Sequence, residues 1–281
     1  MTNNNPTSSE KSFMSTILVP IDTTEETTIA LHQSCNLAKL TNSKIVLLSV
    51  DDNKNDSAQK RLAELAVEAA EKSGHLVETI LRNGNIYDEI NKVADELNPL
   101  LMVGLSSKIT FDKIIGKNAF KMVRELKHPV MTIRAKMQHE ECKTILLPID
   151  LSKESREKVG QAISLAKKLG AQISVVSILT QKDEELENKL TSYSNQVLKY
   201  IQNENIPCTI KTLRGTDIPK MIINYGHEIG ADLILIMSKA ELNVKEFFIG
   251  TVAQRIINES DIPVLSYRPM ERKDTSVYTT F

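Results

Sequence analysis

The stretch Ile17-Leu-Val-Pro-Ile-Asp22 returns 128 residues later as Ile145-Leu-Leu-Pro-Ile-Asp150. The same offset carries Lys44-Ile-Val-Leu-Leu-Ser-Val50 onto Gln172-Ile-Ser-Val-Val-Ser-Ile178. Later matches drift by a few residues, as insertions in loops produce. Arg82-Asn-Gly-Asn-Ile86 answers Arg214-Gly-Thr-Asp-Ile218, and Gly116-Lys-Asn-Ala119 answers Gly250-Thr-Val-Ala253. Pro129-Val-Met-Thr-Ile-Arg134 answers Pro263-Val-Leu-Ser-Tyr-Arg268. A period near half of 281 residues is far too long for a solenoid. The sequence reads as one domain of roughly 130 residues used twice, each half long enough to bury its own core.

The first domain is expected over 14–136 and the second over 143–269, with a polar linker at 137–142. Residues 1–13 and 270–281 are polar and read as disordered tails. Within each half, short and almost wholly apolar runs alternate with helical periods. The runs read as strands buried on both faces. Leu62, Leu65 and Ala69 mark one helix. Val159, Ile163, Ala166 and Leu169 mark another, with Lys and Gln assigned to its outer side; Leu31, Cys35, Ala38 and Thr41 are its first-half equivalents. Strand–helix alternation predicts an α/β fold: two tandem, doubly wound parallel sheets with flanking helices. Ligands of such sheets sit beyond the strand C-termini, where strand order reverses.

Composition narrows the function. Lys and Arg total 35 against 36 Asp and Glu, so no global field draws the chain to nucleic acid or an acidic membrane. Aromatics are 4% with no Trp, which argues against base-stacking platforms. No apolar run approaches a membrane span, and the N-terminus lacks the apolar core of a signal peptide. Three cysteines, Cys35, Cys142 and Cys208, cannot all pair with one another and suggest a reducing, cytoplasmic setting.

Asp22 and Asp150 end the first strand of each half and are expected at the crevice. There a carboxylate could accept a ribose or adenine hydrogen bond, ligate a metal, or simply assist a helix N-cap, a role Ser152 also suits. After the fourth strand come Gly104-Leu-Ser-Ser107 and Met237-Ser-Lys-Ala240, then Gly116-Lys117 and Gly250-Thr251 ahead of helical patterns. Glycine before a helix lets backbone N–H groups approach a phosphate; it also caps helices for purely steric reasons.

Taken together, these openings, the Ile/Val-rich second strands, Gly250-Thr251 and the Pro-Val closing strands resemble the universal stress protein family, over the whole chain outside its tails. The resemblance implies two five-stranded parallel sheets of order 3-2-1-4-5, packed as a pseudo-dimer through the closing strands. Many family members bind ATP through Gly, two residues, Gly, nine residues, Gly, then Ser or Thr. On this pattern Asp22 and Asp150 take the acid position, and Val50 and Ile178 the second-strand position. Gly104 matches the first glycine of half one, but Ser107 replaces the second, eight residues instead of nine precede Gly116, and Lys117 replaces the hydroxyl. In half two Gly250 and Thr251 match the final pair, whereas Met237 and Ala240 stand where glycines belong. A Cβ removes space for a phosphate, and a one-residue shift moves donors by up to ~3.5 Å, beyond hydrogen-bond tolerance. Neither half carries the full signature.

The reading that follows is a non-catalytic stress-response protein that binds a small-molecule ligand or a protein partner, with ATP as the nucleotide alternative. The competing readings are a weakly hydrolysing ATP switch and a scaffold. No metal is expected: His32-Gln-Ser-Cys35 and His139-Glu-Glu-Cys142 share a spacing but lack a tetrahedral ligand set. Arg82 and Arg214 are read evenly as strand-end snorkels or anion contacts. An antiparallel contact of 129–134 with 262–267 would join the two sheets, and whole chains could pair as homodimers.

Overall fold

The apolar runs become ten strands and the periodic segments eight helices among the described residues, in strict alternation within each half. The structure, a computed structural model, describes residues 15–22, 25–50, 56–105, 119–134, 141–238 and 248–269. The first half runs β1 (Ser15–Pro20), α1 (Glu25–Thr41), β2 (Ser43–Val50), α2 (Asp56–Ser73), β3 (Val77–Arg82), α3 (Ile86–Leu97), β4 (Leu101–Leu105), α4 (Ala119–Glu125) and β5 (Val130–Ile133). The second repeats it: β6 (Thr144–Ile149), α5 (Lys153–Leu169), β7 (Gln172–Leu179), α6 (Glu184–Asn203), β8 (Cys208–Arg214), α7 (Ile218–Glu228), β9 (Leu233–Met237), α8 (Phe248–Glu259) and β10 (Val264–Tyr267). Among the described residues no helix is long and apolar enough to cross a membrane.

All ten strands form one sheet of order β3-β2-β1-β4-β5-β10-β9-β6-β7-β8. Pairing is parallel within each half. The seam is antiparallel, with Thr132 opposite Val264, Met131 opposite Leu265 and Val130 opposite Ser266. The predicted joining of the closing strands is therefore present. Pro129 and Pro263 lie just before their strands, where a missing N–H breaks no ladder bond.

Side chains alternate across the sheet with a period of two. Ile17 and Val19 enter the layer covered by α1, α2, α5 and α6, and Leu18 enters the layer covered by α3, α4, α7 and α8. Both faces are thus buried, which is why the strands read as continuous apolar runs. The helix-to-strand turns show the duplication in backbone terms. Asn42 (φ 49°) answers Gly170 (φ 65°), Gly74 (φ 68°) answers Asn205 (φ 59°), and Asn98 (φ 44°) answers Gly230 (φ 61°). Each site needs the left-handed conformation, and the halves use the two residues that adopt it most cheaply, interchanged at all three turns.

Candidate functional site

Reversal of strand order between β6 and β9 opens a crevice beyond their C-terminal ends. A cavity of about 280 Å³ lies there. Its walls are mainly aliphatic: Val176 and Ile178 from β7, Ile236 from β9, Ile222 from α7, and Val252 and Ile256 from α8. Asp150, Ser152, Glu154, Ser155 and Lys158 supply the polar part, all from the end of β6 and the start of α5.

The polar edge is built by helix capping. Ser152 is the N-cap of α5, and its Oγ accepts from the Ser155 N–H at 3.2 Å. Asp150 Oδ1 in turn accepts from the Ser152 N–H at 3.0 Å, the Ser152 hydroxyl at 2.5 Å and the Ser155 hydroxyl at 2.6 Å. The Asp150 N–H donates to Ser155 Oγ at 2.9 Å. Partial desolvation pushes the Asp150 carboxyl upward, but the Ser152 and Ser155 donors and the Lys158 charge outweigh it and hold the group below the usual aspartate value. Asp150 is thus an ionised acceptor fixed at an exposed rim, with Oδ1 committed to its own turn.

Lys158 departs from the sequence expectation. The helical pattern places the lysines of α5 on its outer side, yet Lys158 is only 8% exposed and lines the cavity. Its first-half equivalent, at the offset of 128, is the buried Ala30. Burial pulls the Lys158 ammonium down from 10.5 to about 8, and the Asp150 charge opposes this only in part. Sequence reasoning missed this residue. The available signal was a lysine beside Val159 on the stripe that also carries Ser155, Ala162 and Ala166, all of them buried.

The remaining sequence candidates divide by half. Ile178, half-buried near the end of β7, faces the same cavity as Asp150. Met237 lines that cavity too, on the last residue of β9, where the phosphate pattern asks for glycine. Gly250 and Thr251 do not precede a helix; they lie in the first turn of α8. The physical reason is periodicity: Phe248, Ile249, Val252, Ala253 and Ile256 continue one helical stripe through the glycine, so the helix starts earlier than the glycine suggests. Their N–H groups still belong to the turn that lacks intrahelical acceptors.

In the first half, Asp22 follows β1 and Val50 ends β2, in places equivalent to Asp150 and Ile178. Gly104 lies inside β4, paired with Thr132, not in a loop after it. A Cβ there would stand 2.1 Å from Met122 Cε, so the glycine makes room for a buried methionine of α4. Ser107, Gly116 and Lys117 lie outside the described residues, as does Ala240 of the second half. Arg82 pairs with Glu96 at 3.3 Å and Arg214 with Glu187, both on the surface. Of the two readings kept for these arginines, their observed partners are protein carboxylates on neighbouring helices. Cys35 is buried in the core, where desolvation pushes its thiol up to about 11, and His32 contacts Glu68 at 3.3 Å.

Comparison with known proteins bears on both halves. The sequence profile described as "Usp: Universal stress protein family" matches residues 14–134 and again 141–268. A universal stress protein of Staphylococcus haemolyticus is 27% identical over a 142-position alignment that covers 46% of this chain and 86% of that protein. Among solved structures, a universal stress protein from Archaeoglobus fulgidus superposes with a TM-score of 0.69 at 21% identity, covering 91% of this chain and 97% of its own. One from Pseudomonas aeruginosa gives 0.66 at 19% identity, covering 92% and 94%. These structural likenesses establish the tandem fold.

Proposed function

The chain belongs to the universal stress protein family, and on that premise we propose that it is a non-catalytic ligand-binding protein of the stress response, working through the crevice of its second half. The carrying observation is the cavity at the β6/β9 switch point, with a pre-fixed carboxylate at its rim and a buried ammonium in its wall. Largely apolar concavities with a few convergent polar groups are the usual form of small-molecule sites. Asp150 suits recognition better than turnover, because Oδ1 already accepts three hydrogen bonds from its own turn. The three free thiols support a reducing, cytoplasmic setting.

An ATP-binding switch is the second reading. It draws on Gly250 and Thr251 in the first turn of α8, the helix whose Val252 and Ala253 line the same cavity. In the first half its site would be Asp22, Val50 and Gly104 with Ser107, Gly116 and Lys117.

Native mass spectrometry of chain purified without added ligand tests the main reading. A co-purifying small molecule that is lost on filling the cavity with Ile236→Trp supports it. A molecule retained by that variant counts against it. Calorimetry with ATP-Mg separates the second reading: saturable binding abolished by Gly250→Trp would favour the switch, and no heat at millimolar ATP would remove it.

A further inference from the structure

Lys158 is the one buried cation in the cavity wall, and among the described residues no hydrogen-bond acceptor and no ion-pair partner meets it. An ammonium largely withdrawn from bulk water without such a partner is destabilised in its charged form. Asp150, the carboxylate whose field reaches it, has its Oδ1 occupied by Ser152 and Ser155 and stands at the exposed rim. A cavity of about 280 Å³ lies beside this unanswered charge.

From this geometry, and resting on the ligand-binding reading above, we infer that the second-half cavity takes a small aliphatic monoanion, its head on Lys158 Nζ and its chain along Val176, Ile178, Ile236 and Ile256. The charges of the lining limit the head to a single negative charge. Asp150 and Glu154 stand against one ammonium, so a polyphosphate would add several charges to a wall that is already net negative. Met237 further occupies the place where a phosphate cradle needs glycine. The walls leave the body of the ligand little to hydrogen-bond, which favours a hydrocarbon chain over a polyhydroxylated one. The site is particular to this half, because Ala30 stands at the equivalent position in the first.

Calorimetric titration of the full chain with sodium octanoate and, separately, 1-octanol tests this. The two probes share a chain and differ in head charge. Octanoate is expected to bind the wild type at least ~10-fold more tightly than octanol, the scale of a charge-assisted hydrogen bond. Lys158→Met, of similar length, is expected to bring octanoate down to the octanol level and leave octanol unchanged. Ile236→Trp, which retains the ammonium, is expected to exclude both. Equal affinities in the wild type, octanoate binding to Lys158→Met as tightly as to the wild type, or octanoate binding retained by Ile236→Trp would overturn the proposal. Binding of ATP-Mg with neither eight-carbon probe bound would overturn it while leaving the ligand-binding reading intact. If no probe binds and no molecule co-purifies, both fall.

Discussion

Met122 of α4 lies over Gly104 of β4, with its methyl 2.1 Å from where a Cβ would be. Both belong to the first half; at the equivalent register the second half has Ile236, opposite Ser266 as Gly104 is opposite Thr132, and Ile256 stands in the place of Met122. The bulk that the first half places on the helix alone is shared between strand and helix in the second, where both isoleucines border the cavity.

This contact predicts a coupled response. Gly104→Val should destabilise by about 1–3 kcal/mol through overpacking. Met122→Ala alone should cost about 2–5 kcal/mol through the cavity it leaves. The double variant should lose clearly less than the total of the two, because each relieves the other. Denaturant unfolding of the four proteins measures the coupling, and strict additivity would show that the two residues do not share this space.

Lys158 predicts a pH signature. Its folded-state value, about 8, lies below the ordinary 10.5, so between these values the unfolded chain binds the extra proton. Stability from this group therefore rises with pH across that window, and the burial penalty is fully present below it. Asp150 and Glu154 are the other titratable groups lining the cavity, and β7, β9, α7 and α8 face it with apolar residues. Lys158→Met should melt higher than wild type at pH 7, by on the order of 3 kcal/mol in stability. That advantage should shrink as pH rises from 8 toward 10.5. A wild-type-minus-variant difference that stays flat over this range would contradict the burial.

The seam predicts a cross-link. Met131 and Leu265 are direct partners in the antiparallel ladder. Opposed residues in such a pair have Cα atoms about 4.5–5.5 Å apart, within the range a disulfide spans. Met131→Cys with Leu265→Cys should therefore form an intramolecular disulfide under mild oxidation, read as a linked peptide pair by mass spectrometry. Bridges only between separate chains would place the closing strands elsewhere.

The Asp150 turn makes a fourth case. Ser152→Ala removes the N-cap acceptor and one of the donors that hold the carboxylate. A loss of about 0.5–2 kcal/mol is expected, typical of a cap. Asp150 should then titrate closer to the ordinary aspartate range, observable in carboxyl chemical shifts. An unmoved Asp150 would mean that the serine does not sustain the low value.

The fold was legible because two independent patterns agree. The apolar runs from Ile17 and Ile145 fix strands buried on both faces, and the repeat doubles each observation. The antiparallel seam followed from the family resemblance, in which domains pair through this closing strand, and not from the apolar pattern itself. The site was legible only where a side chain follows directly from strand position, as for Asp150 and Ile178. Gly104 misled because its steric reason is Met122, which only tertiary packing brings to it. Gly250 misled because a glycine that resembles a helix boundary lies inside a stripe that carries the helix past it. Lys158 was invisible to the rule that charges face outward; its stem and head are held by a cavity that no local pattern announces.

Methyl-labelled NMR of the isoleucines during octanoate titration tests the central claim most directly. The account predicts saturable shifts at Ile178, Ile218, Ile222, Ile236 and Ile256, which line the cavity, with Ile80, Ile86 and Ile90 of the first half unmoved. Shifts concentrated on those first-half methyls, or saturable binding that leaves the five second-half methyls in place, would contradict it.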